Sequence, residues 1–179
     1  LYTALMKDRS PMESDMGDRA EDLAWRRQQS IAGGGAQRMD ALRSDGRGTA
    51  RERIDALLDL DSFVEIDALV SHRNREENMH MHPQFGDGVV AGHGTIDGRR
   101  VFCFSQDFTV FGGSIGEMHA NKISKVLEMA ERARVPIVCI WDGGGQRAAS
   151  SVATCAARGA VTTLLFAASP HADFSQTSL

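Results

Sequence analysis

No run of apolar residues in this chain approaches the ~20 needed to cross a bilayer as a helix, so nothing predicts a helical membrane span. Cysteine is scarce and odd in number. Cys103, Cys139 and Cys155 lie far apart, two of them inside apolar strand-like runs, which excludes a disulfide framework and suits reduced, buried thiols. Basic charge is also in short supply: 20 Lys and Arg stand against 24 Asp and Glu, for a net charge of -4. The longest basic cluster is short and interrupted by acids, so no field for nucleic acid is present. The N-terminal segment carries too many acids for a secretory or organellar leader. These absences predict a soluble, cytoplasmic protein with neither membrane nor nucleic acid as partner. What remains is 179 residues with 42% hydrophobic content, enough for one sizeable core but not for a second full domain.

Residues 16–42 are polar and helix-favouring, with Leu23, Ala24 and Ile31 as thin apolar contacts and a break at Gly33-Gly34-Gly35. Residues 1–48 are thus expected to form an exposed helical arm and a linker. Thr49-Ala50-Arg51-Glu52 has the capping-box pattern, and Ile54, Leu57 and Leu58 supply the apolar face of a short helix. Residues 63–69 alternate like a strand, and residues 71–85 read as a polar loop. Within that loop His80 and His82, with His72 nearby, lack a cysteine or acid at ligand spacing, so no metal is expected.

A clearer pattern begins at residue 87. Residues 87–95 and 100–106 read as strands joined by Asp97-Gly98, the dipeptide of a tight hairpin. Ser114-Ile115-Gly116-Glu117 suggests a second capping box, followed by a helix that faces the core with Met118, Ile123, Val126, Leu127 and Ala130. That helix is expected to stop near Arg134, before Pro136. Residues 135–141 form an apolar strand of the kind buried on both faces, and residues 148–168 are alanine-rich and helix-prone. Alternating strands and helices predict an α/β fold.

Two of these strands deliver glycine-rich turns. The first reaches Gly112, Gly113 and Ser114, and the second runs into Asp142-Gly143-Gly144-Gly145-Gln146-Arg147. Glycine lets backbone approach a ligand closely, and free N–H groups beside a helix start attract phosphates or oxyanions. Two N–H groups aimed at a carbonyl would form an oxyanion hole, with no side-chain nucleophile needed. A tight turn without ligand fits the glycines equally well. Gly143-x-Gly145-x-x-Ala148 also matches a dinucleotide fingerprint, but residues 161–168 lack the ribose-binding acid that fingerprint requires. Arg147 is expected to meet either a ligand phosphate or a carboxylate such as Asp142. Lys122 and Lys125 are expected on a solvated face, and Asp107 as a structural pin for the turn after its strand.

Together, FGDGVVAGHGTIDGRRVFCFSQDFTVFGGSIGEMHANKISKVLEMAERARVPIVCIWDGGGQR and the preceding TARERIDALLDLDSFVEIDALVSHR resemble the carboxyltransferase (beta) subunits of biotin-dependent acyl-CoA carboxylases. The resemblance covers residues 49–147. It implies a crotonase-like α/β fold of ββα repeats, with residues 49–179 forming part of an N-terminal carboxyltransferase domain. It further implies carboxyl transfer from biotin, carried by a biotin carboxylase/biotin carrier subunit, to the α-carbon of propionyl-CoA or a similar short acyl-CoA, in a large homo-oligomer. By the same resemblance Gly144 and Gly145 are catalytic candidates whose N–H groups contact the thioester, while Gly112, Gly113, Ser114, Gly143 and Arg147 line the substrate. The biotin itself would take up the proton, so no side-chain base is required. Gly143 and Gln146 depart from the Ser and Ala of the family's D-S-G-G-A-R pattern, which predicts a looser turn, and similarity fades after Arg147. An N-terminal fragment, inactive alone, is therefore expected. The alternatives are a non-catalytic assembly remnant and an NAD-binding oxidoreductase domain.

Overall fold

In the computed structural model the structure describes residues 11–73, 84–145 and 147, with side chains from residue 17 onward. Three helices lead the chain: α1 (Pro11–Ala32), α2 (Ala36–Ser44) and α3 (Ala50–Leu57). Gly33 and Gly35, both at positive φ, break the helical run between α1 and α2, as the triple glycine predicts. The capping box that opens α3 is present in full: Thr49 accepts from the Glu52 N–H, and Glu52 accepts from the Thr49 N–H at 2.7 Å.

Four strands follow, β1 (Val64–Glu65), β2 (Val89–Ile96), β3 (Arg99–Gln106) and β4 (Ile137–Ile140), in the spatial order β1-β2-β3-β4. β1, β2 and β3 pair antiparallel, while β4 joins β3 in parallel after the crossover helix α4 (Glu117–Ala133). The β2–β3 hairpin turns at Asp97 (φ 50°) and Gly98 (φ 73°), the left-handed pair that matches the natural twist of the two strands. α4 ends at Arg134, which takes the left-handed C-cap conformation.

Strand alternation sorts the core into two layers. Val89, Ala91, Phe102 and Phe104 pack on one face against Ala120, Ile123, Val126, Leu127 and Ala130 of α4. Val90, Val101 and Cys103 pack on the other against Ala50, Ile54 and Leu58. Cys103 and Cys139 therefore belong to opposite faces of neighbouring strands and cannot bridge. Burial pushes both thiols up to about 11, which makes them poor nucleophiles.

Four expectations change. The strand foreseen over residues 63–69 pairs only at Val64–Glu65, because Asp67 turns to φ 55° and ends the extended run. Strand β4 is half-buried along its length, and Trp141 beyond it is 48% exposed, so burial on both faces does not hold among the described residues. Ser114 does not cap α4: its hydroxyl donates to the Phe111 carbonyl, and the N-cap is Gly116. Lys122 is not solvated but buried, with Nζ donating to the Gly86 and Val89 carbonyls, and burial lowers it to about 8. Lys125 does remain at the surface, paired with Asp67 at 2.8 Å. The foreseen helix over 148–168, together with Cys155, His80, His82, Gln146 and Ala148, lies outside the described residues.

Candidate active site: two glycine turns locked side by side

Because β3 and β4 are parallel neighbours, the turns that leave their C-terminal ends emerge at the same edge of the sheet. In an α/β sheet that edge is where ligands are bound. The first turn starts with Asp107, whose carboxylate accepts from the Thr109 N–H at 3.0 Å and hydroxyl at 2.6 Å, as expected of a structural pin. It then winds left-handed through Phe111 (φ 52°), Gly112 (φ 60°) and Gly113 (φ 64°). A phenylalanine in that region costs roughly 1–2 kcal/mol and must be held by its surroundings. Holding comes from Arg147, whose guanidinium lies 4.4 Å from the Phe111 ring centre, and from the near-perpendicular His72 ring, centred 5.5 Å away.

The second turn, residues 142–147, is stitched to the first by backbone bonds. Gly144 N–H donates to Gly112 O at 2.9 Å, Ile115 N–H to Gly145 O at 2.7 Å, and Arg147 N–H to Ile115 O at 3.0 Å. Contact between the turns is close enough that side chains are forbidden. A Cβ on Gly113 would enter the carbonyl oxygen of Asp142, and one on Gly143 would enter that of Gly113. The looser turn expected from Gly143 is thus not observed; the missing side chain is filled by facing backbone. Gly112 and Gly145 differ, since a Cβ at either would meet nothing within 4 Å among the described residues.

The catalytic candidates accordingly part ways. The Gly144 N–H is occupied by Gly112 O, whereas the Gly145 N–H meets no acceptor among the described residues. Gly143, Gly144 and Gly145 are exposed, Gly112 and Ser114 half-buried and Gly113 buried. Arg147 makes an ion pair with a carboxylate, but with Asp87 rather than Asp142: Nη1 donates to Asp87 Oδ1 at 2.6 Å, and Nη2 and Nε donate to Ser114 O. Asp142 is instead held by Arg47 and Arg53, which reach it from the segment preceding α3 and from α3 itself.

Sequence reasoning missed Asp87, Gln106 and His119. Asp87 is fully buried and caps α4 from a distance, accepting from the His119 N–H through Oδ2 at 2.8 Å. His119 is also fully buried; desolvation first, then the Arg147 charge, push its imidazole down to about 3, so it stays neutral. Polar residues at 119 and 122, on the stripe marked by Ile123, Val126 and Ala130, were the available signal. The contact that the glycine triplet 33–35 makes with the first turn's loop is likewise not legible in the sequence. Gly34 N–H donates to Thr109 Oγ1 at 3.0 Å, and a Cβ there would overlap Thr109, so the N-terminal arm rests on the loop that leads into the first turn. Between that arm and loop lies a groove of about 550 Å³, lined by Arg38, Arg47, Phe108, Thr109, Phe111 and Gly112.

Among the described residues no cluster of His, Cys, Asp and Glu could hold a metal, and no helix is long and apolar enough to cross a membrane. A carboxyl transferase domain family model matches residues 41–169. The chain is 48% identical over 146 residues to the propionyl-CoA carboxylase beta chain of Roseobacter denitrificans, covering 82% of this chain and 29% of that one. It is 51% identical over 126 residues to the biotin-dependent acetyl-/propionyl-coenzyme A carboxylase beta5 subunit of Mycobacterium tuberculosis, covering 70% and 23%. Among solved structures it is similar to transcarboxylase 12S with methylmalonyl-coenzyme A bound, with a TM-score of 0.78 at 40% identity, covering 87% of this chain and 30% of that one. It is also similar to a single-chain, multi-domain long-chain acyl-CoA carboxylase, with a TM-score of 0.71 at 30% identity, covering 83% and 16%. The chain spans less than a third of the length of these relatives. Two facing glycine turns on a crotonase-like α/β sheet, matched over most of the chain's length, make it a member of the carboxyl transferase domain family.

Proposed function

We propose that this chain supplies the acyl-CoA side of a carboxyltransferase site, in which a carboxyl group passes from biotin on a carrier subunit to the α-carbon of propionyl-CoA or a similar short acyl-CoA. The single observation that carries the reading is the Gly145 N–H, which meets no acceptor among the described residues in a turn whose neighbouring backbone bonds are made. Such an N–H can donate to the thioester oxygen as that oxygen gains charge, without reorganising at the moment of reaction. Gly144 acts one step back in this reading: its bond to Gly112 O holds the donor in place. Gly112, Gly113, Ser114 and Gly143 shape the floor beneath the thioester, and Arg147 braces the first turn.

The groove beside Gly112 suits the remainder of the substrate. Arg38 offers charge for a phosphate, while Phe108 and Phe111 line the same groove with apolar rings. The open side of Gly112 and Gly145 leaves room for a second reactant there, and biotin, when bound, supplies the activated carboxyl group. Three titratable side chains near the turns are already committed: Asp142 is engaged by two arginines, Asp87 by Arg147, and His119 is buried and neutral. In this reading the second reactant takes up the proton from the α-carbon. The carrier subunit, a partial N-terminal carboxyltransferase domain over residues 49–179 and assembly into a homo-oligomer belong to the same reading.

A thermal-shift titration of the 179-residue chain with propionyl-CoA, with free CoA and NAD run in parallel, tests it. Stabilisation by propionyl-CoA beyond that by CoA is the expected result. A melt that no ligand moves would favour a non-catalytic assembly role instead, and a shift with NAD alone would restore the dinucleotide reading.

A further inference from the structure

Three buried polar groups have no part in the chemistry above, yet they form one continuous chain of hydrogen bonds whose direction can be deduced. It starts at the Asp87 main-chain oxygen, which can only accept. The His119 ring nitrogen facing it at 2.9 Å, Nδ1, must therefore carry the proton. A neutral imidazole then leaves Nε2 as an acceptor, and its neighbour at 3.3 Å is the Gln106 side-chain nitrogen, a donor. That orientation turns Gln106 Oε1 the other way, where it accepts the Asp142 N–H at 2.8 Å. Every group has the partner it requires, and only one tautomer and one amide orientation satisfy all three bonds. The imidazolium alternative would put a charge in a fully buried site beside Arg147 and Lys122.

The ends of the chain are informative. Asp87 grips α4 through the His119 N–H and Arg147 through its carboxylate. Gln106 is the last residue of β3, just before the first turn, and Asp142 opens the second. Nothing else in the described hydrogen-bond pattern ties the Asp142 amide to the sheet. Gln106 also sits where a Cβ on Gly143 would fall, 2.8 Å from Oε1, so its amide is the surface on which the second turn rests.

We propose that Gln106 and His119 are positioning residues: a relay that fixes the height of the second glycine turn against the first and so aims the Gly145 N–H. Its consequence for acyl-CoA rests on the function proposed above, whereas the relay itself does not.

The test uses the 15N-labelled 179-residue chain and two variants, Gln106→Met, which keeps the shape but neither bond, and Gln106→Glu, which keeps an acceptor for the Asp142 N–H. In the unaltered chain the His119 ring should show the Nδ1–H tautomer with an unprotonated Nε2, without titrating from about pH 5 to 8. Gln106→Met should speed amide exchange at Gly144 and Ile115 by at least about tenfold. The Phe102 amide, which donates to Pro136 O within the sheet, should stay protected. Gln106→Glu should restore most of the Gly144 protection and convert His119 to the doubly protonated ring. An Nε2–H tautomer in the unaltered chain would overturn the relay even if a variant fails to fold. So would equal acceleration at Phe102 and Gly144, unchanged exchange at Gly144, or identical behaviour of the Met and Glu variants. In binding, Gln106→Met should lose at least about tenfold of the preference for propionyl-CoA over CoA. Absence of that preference in the unaltered chain would sink the functional reading while leaving exchange and tautomer to decide the relay.

Discussion

The hairpin turn at Asp97-Gly98 and the paired turns at Gly112-Gly113 and Gly143-Gly145 both depend on glycine, for opposite reasons. At Gly98 the need is local: φ is positive, a Cβ would meet nothing within 4 Å, and the turn faces solvent. At Gly113 and Gly143 the need is tertiary, because the backbone of one turn occupies the space where the other's side chain would be. The hairpin closes a structure; the paired turns create a surface of backbone donors held by contacts made 30 to 60 residues away in sequence. Glycine thus marks both a turn that needs only its own backbone conformation and a place where the backbone of one turn fills the side-chain space of another.

The comparison can be broken most severely at its anchor. Asp87→Ala removes the partner of buried Arg147 and the distant cap of α4 together, and is expected to cost about 3–5 kcal/mol in urea unfolding. Gly113→Ala combines left-handed strain with overlap on Asp142 and should cost about 2–4 kcal/mol, and Gly143→Ser should move stability the same way. Next comes pH. Below its ordinary value the unfolded chain protonates His119 while the folded chain refuses the proton until about pH 3, so this contribution is lost as pH falls from 6.5 toward 3. Between pH 6.5 and 5 the loss should reach about 2 kcal/mol, read from urea midpoints at each pH. Smallest is Gly98→Ala, at about 1 kcal/mol, since only the local conformation resists it. Equal losses for Gly98→Ala and Gly113→Ala would erase the distinction.

Legibility in the sequence follows the same division. The Thr49–Glu52 capping box, the Asp97-Gly98 hairpin, the apolar stripe of α4 and its stop before Pro136 are encoded within a few residues and were readable. Glycines 112, 113 and 143–145 were readable as a candidate site from their place after strands. Which carbonyl occupies the Gly144 N–H was not, because that bond joins residues 32 apart. Ser114-x-x-Glu117 misled for a related reason: it has the local capping pattern, but Glu117 is the first helical residue and the cap arrives from Asp87. The charge of Lys122 points to solvent, whereas its carbonyl partners come from residues 86 and 89. The FGDG segment's role as a brace for Arg147 was invisible without the fold.

The most direct test of the central claim is an amide-resolved NMR titration of the 15N-labelled chain with propionyl-CoA against free CoA. The account predicts that the Gly145 amide shifts downfield with propionyl-CoA and not with CoA, while the Gly144 amide, already bonded to Gly112 O, moves far less. A Gly145 amide indifferent to the acyl group, or one that responds equally to CoA, would contradict it.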